Sequence, residues 1–146
     1  MAITGKLYGQ FLRHALLKEV QLLTDNLAVT LHQVGYVPDQ DNHEYVSSLT
    51  SECPATGGYT TGGQNLASKT LTYTAATNKI TLNGATVSWA SSTITARVVV
   101  VSDRTPATAA VQPLILYQLS DVDIVSSGGP FDVQWNAAGL VEVTIS

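Results

Sequence analysis

Between Ser68 and Ile145 the chain is a succession of short runs rich in Val, Ile, Thr, Tyr and Trp. They are Thr70–Ala75, Ile80–Asn83, Ala85–Trp89, Thr93–Val101, Leu114–Leu119, Phe131–Trp135 and Leu140–Ile145, and small turn residues separate them. Many short strands at regular spacing leave few ways to bury their apolar faces, and the pattern predicts a mainly β fold, a single β-sandwich or jelly-roll-like domain. The same half of the chain holds no His, no Cys and only scattered carboxylates. A catalyst would have to be assembled from the other half, so the first expectation is a scaffold or binding protein and not an enzyme.

The N-terminal half reads differently. Tyr8, Phe11, Leu12, Ala15, Leu16, Val20 and Leu23 recur at three- and four-residue spacing, which predicts an amphipathic helix over residues 7–23. Leu27–Gln33 alternates strictly, with Leu27, Val29 and Leu31 on one side and Ala28, Thr30 and His32 on the other. That pattern predicts a half-buried strand with His32 on its polar side. The chain therefore divides into an N-terminal arm or helix, residues 1–25, and a β-domain, residues 26–146. Asp41 and Glu44 suggest a capping box opening a short helix at Tyr45, Val46 and Leu49. Cys53–Gln64, with two Gly pairs, predicts an irregular connection, flexible or conformationally special. Asn83-Gly84 predicts a type I′ hairpin turn. With Thr77-Asn78-Lys79 it implies a three-stranded meander over residues 70–89. Ala137-Ala138-Gly139 is expected to close a last hairpin.

Composition excludes several function classes. Only 12% of the 146 residues are charged, and the net charge is −4. Binding to nucleic acid in bulk needs Lys/Arg clusters that release counterions from phosphates, so no nucleic-acid partner is expected. Charge is also uneven. Lys6, Arg13 and Lys18 precede the first acid, Glu19, whereas beyond Arg104 the charged residues are Asp121, Asp123, Asp132 and Glu142. Such asymmetry suits docking between subunits; a solvated basic helix face is the plainer alternative. Cys53 is the sole cysteine, so no internal disulfide or cysteine-rich zinc site is expected. Arg13, His14, Lys18 and Glu19 interrupt any apolar run in residues 1–25, so neither a signal peptide nor a membrane span is expected.

Motifs of chemistry are weak. His14, His32 and His43 lack metal-binding spacing, and no GxSxG elbow is present. The acidic loop Asp39-Gln40-Asp41 with Glu44 lacks the Gly and Glu that an EF-hand requires. Gly57–Gly63 lacks the Lys of a phosphate-binding loop. No catalytic residue, metal or cofactor is therefore assigned. Trp89, Trp135, Tyr73 and Tyr117 lie on expected strands and are read as core, with sugar stacking on an exposed face as the alternative.

Taken in order, several stretches resemble a family of small virion structural proteins of tailed bacteriophages, the head-associated or capsid decoration (cement) proteins. They are Pro38-Asp39-Gln40-Asp41 with His43 and Tyr45, Gly58-Tyr59-Thr60, Gly62-Gly63-Gln64, Leu66-Ala67, Lys69-Thr70 and Tyr73. The series continues with Val87, Trp89, Ser92-Thr93-Ile94-Thr95-Ala96-Arg97, Asp103, Thr105-Pro106-Ala107-Thr108, Pro113-Leu114-Ile115, and Phe131, Val133, Trp135 and Gly139. The resemblance spans most of the chain. It implies a non-enzymatic protein without cofactors, made in the host cytoplasm and placed on the capsid surface of the virion. The implied partners are the major capsid protein and further copies of the chain, a homo-oligomer such as a trimer. Lys6, Tyr8, Phe11 and Arg13 are the first candidate contacts, and Tyr59 in the glycine-rich loop is the second. A tail or baseplate component and a carbohydrate-binding β-sandwich are the alternatives.

Overall fold

The computed structural model describes residues 1–146. Ten strands follow one another: β1 (Ile3–Leu7), β2 (Leu27–His32), β3 (Gln64–Asn65), β4 (Thr70–Thr74), β5 (Lys79–Asn83), β6 (Val87–Ser92), β7 (Thr95–Asp103), β8 (Leu114–Val125), β9 (Gly129–Val133) and β10 (Val141–Thr144). One six-residue helix, α1 (Phe11–Leu16), lies between β1 and β2. The protein is mainly β, and every strand pairing is antiparallel.

The strands form three sheets. The largest has the order β1-β8-β7-β2-β3, the second β10-β5-β4, and the third pairs β6 with β9. One apolar cluster joins all three. It takes Leu27, Val29 and Leu31 from β2, Val101 from β7 and Ile115 and Leu116 from β8. Against these lie Leu82 of β5, Val87 and Trp89 of β6, Phe131 and Val133 of β9, and Val141 of β10. Burying this many branched and aromatic side chains is the main force holding the sheets together. A second cluster, Tyr8, Tyr36, Val98, Val100, Leu114 and Tyr117, lies on the opposite face of the large sheet, with Val46 and Leu49 packed on it.

That second cluster explains a departure from the sequence pattern. All six residues of β2 are buried, not alternate ones. The segment after β2 covers this second face with Tyr36, Val46 and Leu49 and returns to the strand's edge through bonds from Gln33 N to Ser51 O (2.9 Å) and from Cys53 N to Leu31 O (2.9 Å). His32 is therefore buried, with Nε2 2.9 Å from Thr30 Oγ1 and Nδ1 2.8 Å from Thr50 O. Buried polar groups persist when paired in this way.

The N-terminal helix over residues 7–23 is not present. Ile3–Leu7 is a strand paired with β8, and α1 stops at Leu16 because Lys18 takes a positive φ of 62°. Nor do residues 1–25 stand apart from the β-domain: Tyr8 N bonds to Ile115 O at 3.0 Å, and Tyr8, Phe11, His14 and Val20 are buried. The three-to-four periodicity is only partly a burial pattern here: Tyr8, Phe11 and Val20 are buried, whereas Leu12, Leu16 and Leu23 face solvent.

Local hairpin logic also yields to the tertiary structure. β4 and β5 pair as expected through the turn at Asn78 (φ 53°). β6 does not continue that meander; it pairs with β9, and β5 takes β10 on its other side. Gly84 has no positive φ, and a Cβ there would meet Leu66 Cδ1 at 2.7 Å. That glycine makes room for Leu66 rather than for a type I′ turn. Ala137-Ala138-Gly139 likewise leads β9 into a different sheet instead of closing a hairpin. Asp39, not Asp41, organises its loop, accepting from Asp41 N (3.0 Å), Asn42 N (3.1 Å) and Asn42 Nδ2 (2.9 Å). Beyond it, Val46–Ser48 makes a single 3₁₀ turn without a side-chain cap.

Candidate interaction surfaces

The five residues singled out as contacts fall into two groups. Lys6 and Arg13 are at the surface, whereas Tyr8, Phe11 and Tyr59 are buried at 1%, 2% and 3% exposure. The three aromatics thus cannot meet a partner without local unfolding. Each instead holds a different part of the core.

Tyr8 ends β1 and turns its ring onto Tyr117, centroids 5.1 Å apart. Its hydroxyl lies 2.7 Å from that of Tyr36, which is 3.1 Å from His43 Nδ1. Burial, with Tyr36 beside it, pushes the Tyr8 phenol far above its ordinary range, so this chain of hydroxyls stays neutral. Phe11 anchors α1 in the main cluster.

Tyr59 sits in the glycine-rich connection and pins it down. Its hydroxyl donates to Glu52 Oε1 (2.6 Å) and accepts from Leu31 N (3.2 Å), while Gly62 N donates to the same Glu52 oxygen at 2.6 Å. The ring packs on Trp89, 5.6 Å between centroids, and Trp89 meets Phe131 edge-on at 6.3 Å. Gly63 has φ +69° and approaches β2 so closely that a Cβ would fall 1.9 Å from Val29 O. The loop is therefore a conformationally special clamp between β2 and the β6–β7 corner, fixed by side chains and not a mobile tip.

Arg13 and His14 of the N-terminal segment find carboxylate partners within the chain. His14, wholly buried, has Nδ1 against Glu19 Oε2 and Nε2 3.0 Å from Glu44 Oε1, and Arg13 Nη1 is 3.8 Å from the same Glu44 oxygen. Beside the exposed charged residues lies exposed apolar surface. α1 turns Phe11 and His14 inward and Leu12 and Leu16 outward, 48% and 77% exposed. Leu17, the next residue in the chain, is exposed as well, with Arg13 and Lys18 as the exposed charged neighbours in sequence. Contiguous exposed apolar residues beside charged ones are a recurrent mark of a protein contact.

Three further features bear on chemistry. Cys53 is buried, donates to Thr95 O (3.4 Å), and burial pushes its thiol up to about 11, so it is poorly suited to act as a thiolate. Asp103 is buried with its carboxyl raised above the usual range by desolvation, even though Thr105 N donates to Oδ1 at 2.8 Å. Among the aromatics read as core, Trp89 and Tyr117 are buried, Trp135 is half-buried with Nε1 donating to Ala85 O (2.9 Å), and Tyr73 is exposed. A glycan platform needs at least two rings on one open face; Tyr73 is the one exposed aromatic.

The outward strip and the three buried aromatic anchors were not separable by sequence. Leu12 and Phe11 carry the same weight in a periodicity, and only the packing of Phe11 into the main cluster decides which of them faces solvent. Comparison of the chain with protein-family profiles, with curated proteins and with solved structures returned no match.

Proposed function

We propose that this chain is a non-enzymatic virion structural protein of a tailed bacteriophage, binding the outside of the capsid as a decoration or cement protein and stabilising the shell. The three sheets are read here as a β-sandwich, the five-stranded sheet facing the other two across the shared core. The observation that carries the reading is the outward strip of Leu12, Leu16 and Leu17, bordered by Arg13 and Lys18, on a rigid domain of low charge. A shell protein must be held by many copies of one modest contact, and such a contact needs exposed apolar area with little charge to desolvate. The resemblance over most of the chain gives the partner class, the major capsid protein, and further copies of the chain itself. Arg13 is retained as a contact residue at the border of that surface, and Lys6 as an exposed residue of β1. Phe11 supports it from below, while Tyr8 and Tyr59 hold other parts of the core.

A tail or baseplate role is the second reading, because the unpaired outer edges of β1 and β4 would serve ring formation equally well. The carbohydrate-binding alternative has the least support, since Tyr73 stands alone as an exposed ring. Cryo-electron microscopy of virions carrying this chain tests the proposal. Density repeated over the icosahedral shell, with α1 toward the capsid protein, is the expected result. Density confined to the tail, or particles whose melting temperature is unchanged when the protein is stripped, overturns it.

A further inference from the structure

The sheet β10-β5-β4 overhangs the core. Leu71, Tyr73, Ile80, Leu82, Val141 and Val143 share one of its faces, by the pairings Leu71↔Leu82↔Val141 and Tyr73↔Ile80↔Val143. Leu82 and Val141 are buried, but Leu71 and Tyr73 are 42% and 58% exposed. β4 is the outer edge of this sheet, and all five of its residues are exposed. Natural edges are usually guarded by charge, proline, a bulge or brevity. β1 carries Lys6, β10 carries Glu142 and β3 has two residues. The sequence of β4, Thr-Leu-Thr-Tyr-Thr, carries no such guard.

We propose that the partner of this edge is a second copy of the same chain, paired β4 to β4 about a two-fold axis at Thr72. The strand is self-complementary about that residue. Antiparallel pairing sets Thr70 against Thr74 of the second copy, Leu71 against Tyr73, and Thr72 on itself, with no like charges opposed. All the apolar residues then lie on one face of a continuous six-stranded sheet.

A cleft beside the edge supplies the receptor for the tyrosine. Ala15, Val20, Leu22, Leu23 and Leu71 line an open apolar cavity of about 330 Å³. The cross-strand neighbour of Leu71 in the dimer is the second copy's Tyr73, which arrives at the border of this cleft. The ring is already held in place, its hydroxyl donating to Asn78 Oδ1 at 3.0 Å, and so leans toward its own β4–β5 turn. In the paired arrangement that turn passes the first copy's Lys69, whose Nζ bonds Asp25 O at the end of the cleft segment. The fit is reciprocal, as a two-fold contact demands. Stable interfaces hide about 600–1,000 Å² per partner. A contact of five edge residues with one ring at the border of the cleft is a small one, so a weak, reversible dimer in the micromolar range is expected.

This dimer does not rest on the capsid reading, and it is tested on the full chain alone. Sedimentation velocity from about 1 to 500 µM brackets the expected affinity. A monomer–dimer equilibrium is expected, weakened about tenfold or more by Tyr73→Lys, since an aromatic near the centre of a contact is where interface energy concentrates. Far-UV circular dichroism should be unchanged by that exposed substitution. A second pair of variants reads the register. Thr72→Cys should form a disulfide-linked dimer with oxidised glutathione, because opposed Cα atoms lie about 4.5–5.5 Å apart. Thr70→Cys should not, because its two copies would be about 13 Å apart along the strands. A monomer throughout, a trimer, a dimer indifferent to Tyr73→Lys, or equal cross-linking of the two cysteine variants would overturn the proposal.

Discussion

Removing the side chain of Phe11 distinguishes a docking arm from a structural segment. Phe11 is 2% exposed and belongs to the cluster that joins the three sheets. Truncating a buried Phe to Ala costs about 3–5 kcal/mol through lost burial and the cavity left behind. The small helix has few other anchors, namely His14 and the nearby Val20, so the site has little with which to refill the void, and the upper half of that range is expected. Against a total stability of ~5–15 kcal/mol for a domain of this kind, the loss is severe but measurable. With a urea m-value of ~2 kcal/mol/M, Phe11→Ala lowers the unfolding midpoint by about 2 M. Trp89 and Trp135 provide the fluorescence signal and far-UV circular dichroism the second probe; coincident transitions establish that the loss is global. Lys6→Ala, on the same segment but at the surface, should stay within about 0.5 kcal/mol of the parent. Deleting residues 1–20 should abolish cooperative folding, because it strips β1 from β8 and removes Tyr8, Phe11, His14 and Val20 together. A deletion variant that unfolds cooperatively within ~2 kcal/mol of the full chain, or a Phe11→Ala variant that loses less than ~1 kcal/mol, would refute the assignment of this segment to the core.

Further outcomes follow from individual side chains. Tyr59→Phe leaves the Leu31 amide without its acceptor and should cost about 1–3 kcal/mol by urea unfolding. Gly63→Ala drives a Cβ into Val29 O at positive φ, whereas Gly62→Ala, at φ +89° with nothing within 4 Å, meets only the backbone penalty. The first should lower stability by several kcal/mol and the second by about 1–2 kcal/mol. Asp103 has its folded pKa raised by burial, so its contribution is present at low pH and is lost as pH rises above the ordinary carboxylate range. Asp103→Asn, which preserves the acceptor for Thr105 N, should therefore stabilise the protein at pH 7 more than at pH 4. His32 acts in the opposite sense. Burial lowers its pKa, so its contribution is present above about pH 6.5 and is lost as pH falls. Thermal unfolding scanned from pH 7 to pH 5 should show that decline in the parent, and His32→Gln should flatten it.

The strands from β4 onward were legible because each carries its own signal. β-branched and aromatic residues in short runs between small turn residues need no distant partner to declare themselves, and β2, β4, β5, β7 and β10 fall within a few residues of where the pattern sets them. Pairing was not legible. Asn83-Gly84 is a sound hairpin signal locally, yet β6 carries Val87 and Trp89 to Phe131 and Val133 instead, because there the aromatic cluster with Tyr59 becomes available. A turn preference is small beside the burial of two large side chains. The N-terminal segment failed for a related reason. A period of three to four residues assumes one continuous helix, and a strand, a short helix and a left-handed residue at Lys18 instead turn Tyr8, Phe11 and Val20 inward and Leu12, Leu16 and Leu23 outward.

The sequence by itself therefore determined a mainly β chain, its strand segments, and its low charge, because these are sums over local residue properties. The tertiary structure alone decided which aromatics became anchors and which surface was left outside. Tyr8, Phe11 and Tyr59 look like contact residues in one dimension, and become core when Ile115, Trp89 and Leu31 are brought to them from remote strands. Burial is a property of the pairings across the whole chain, and no window of sequence contains both sides of a contact.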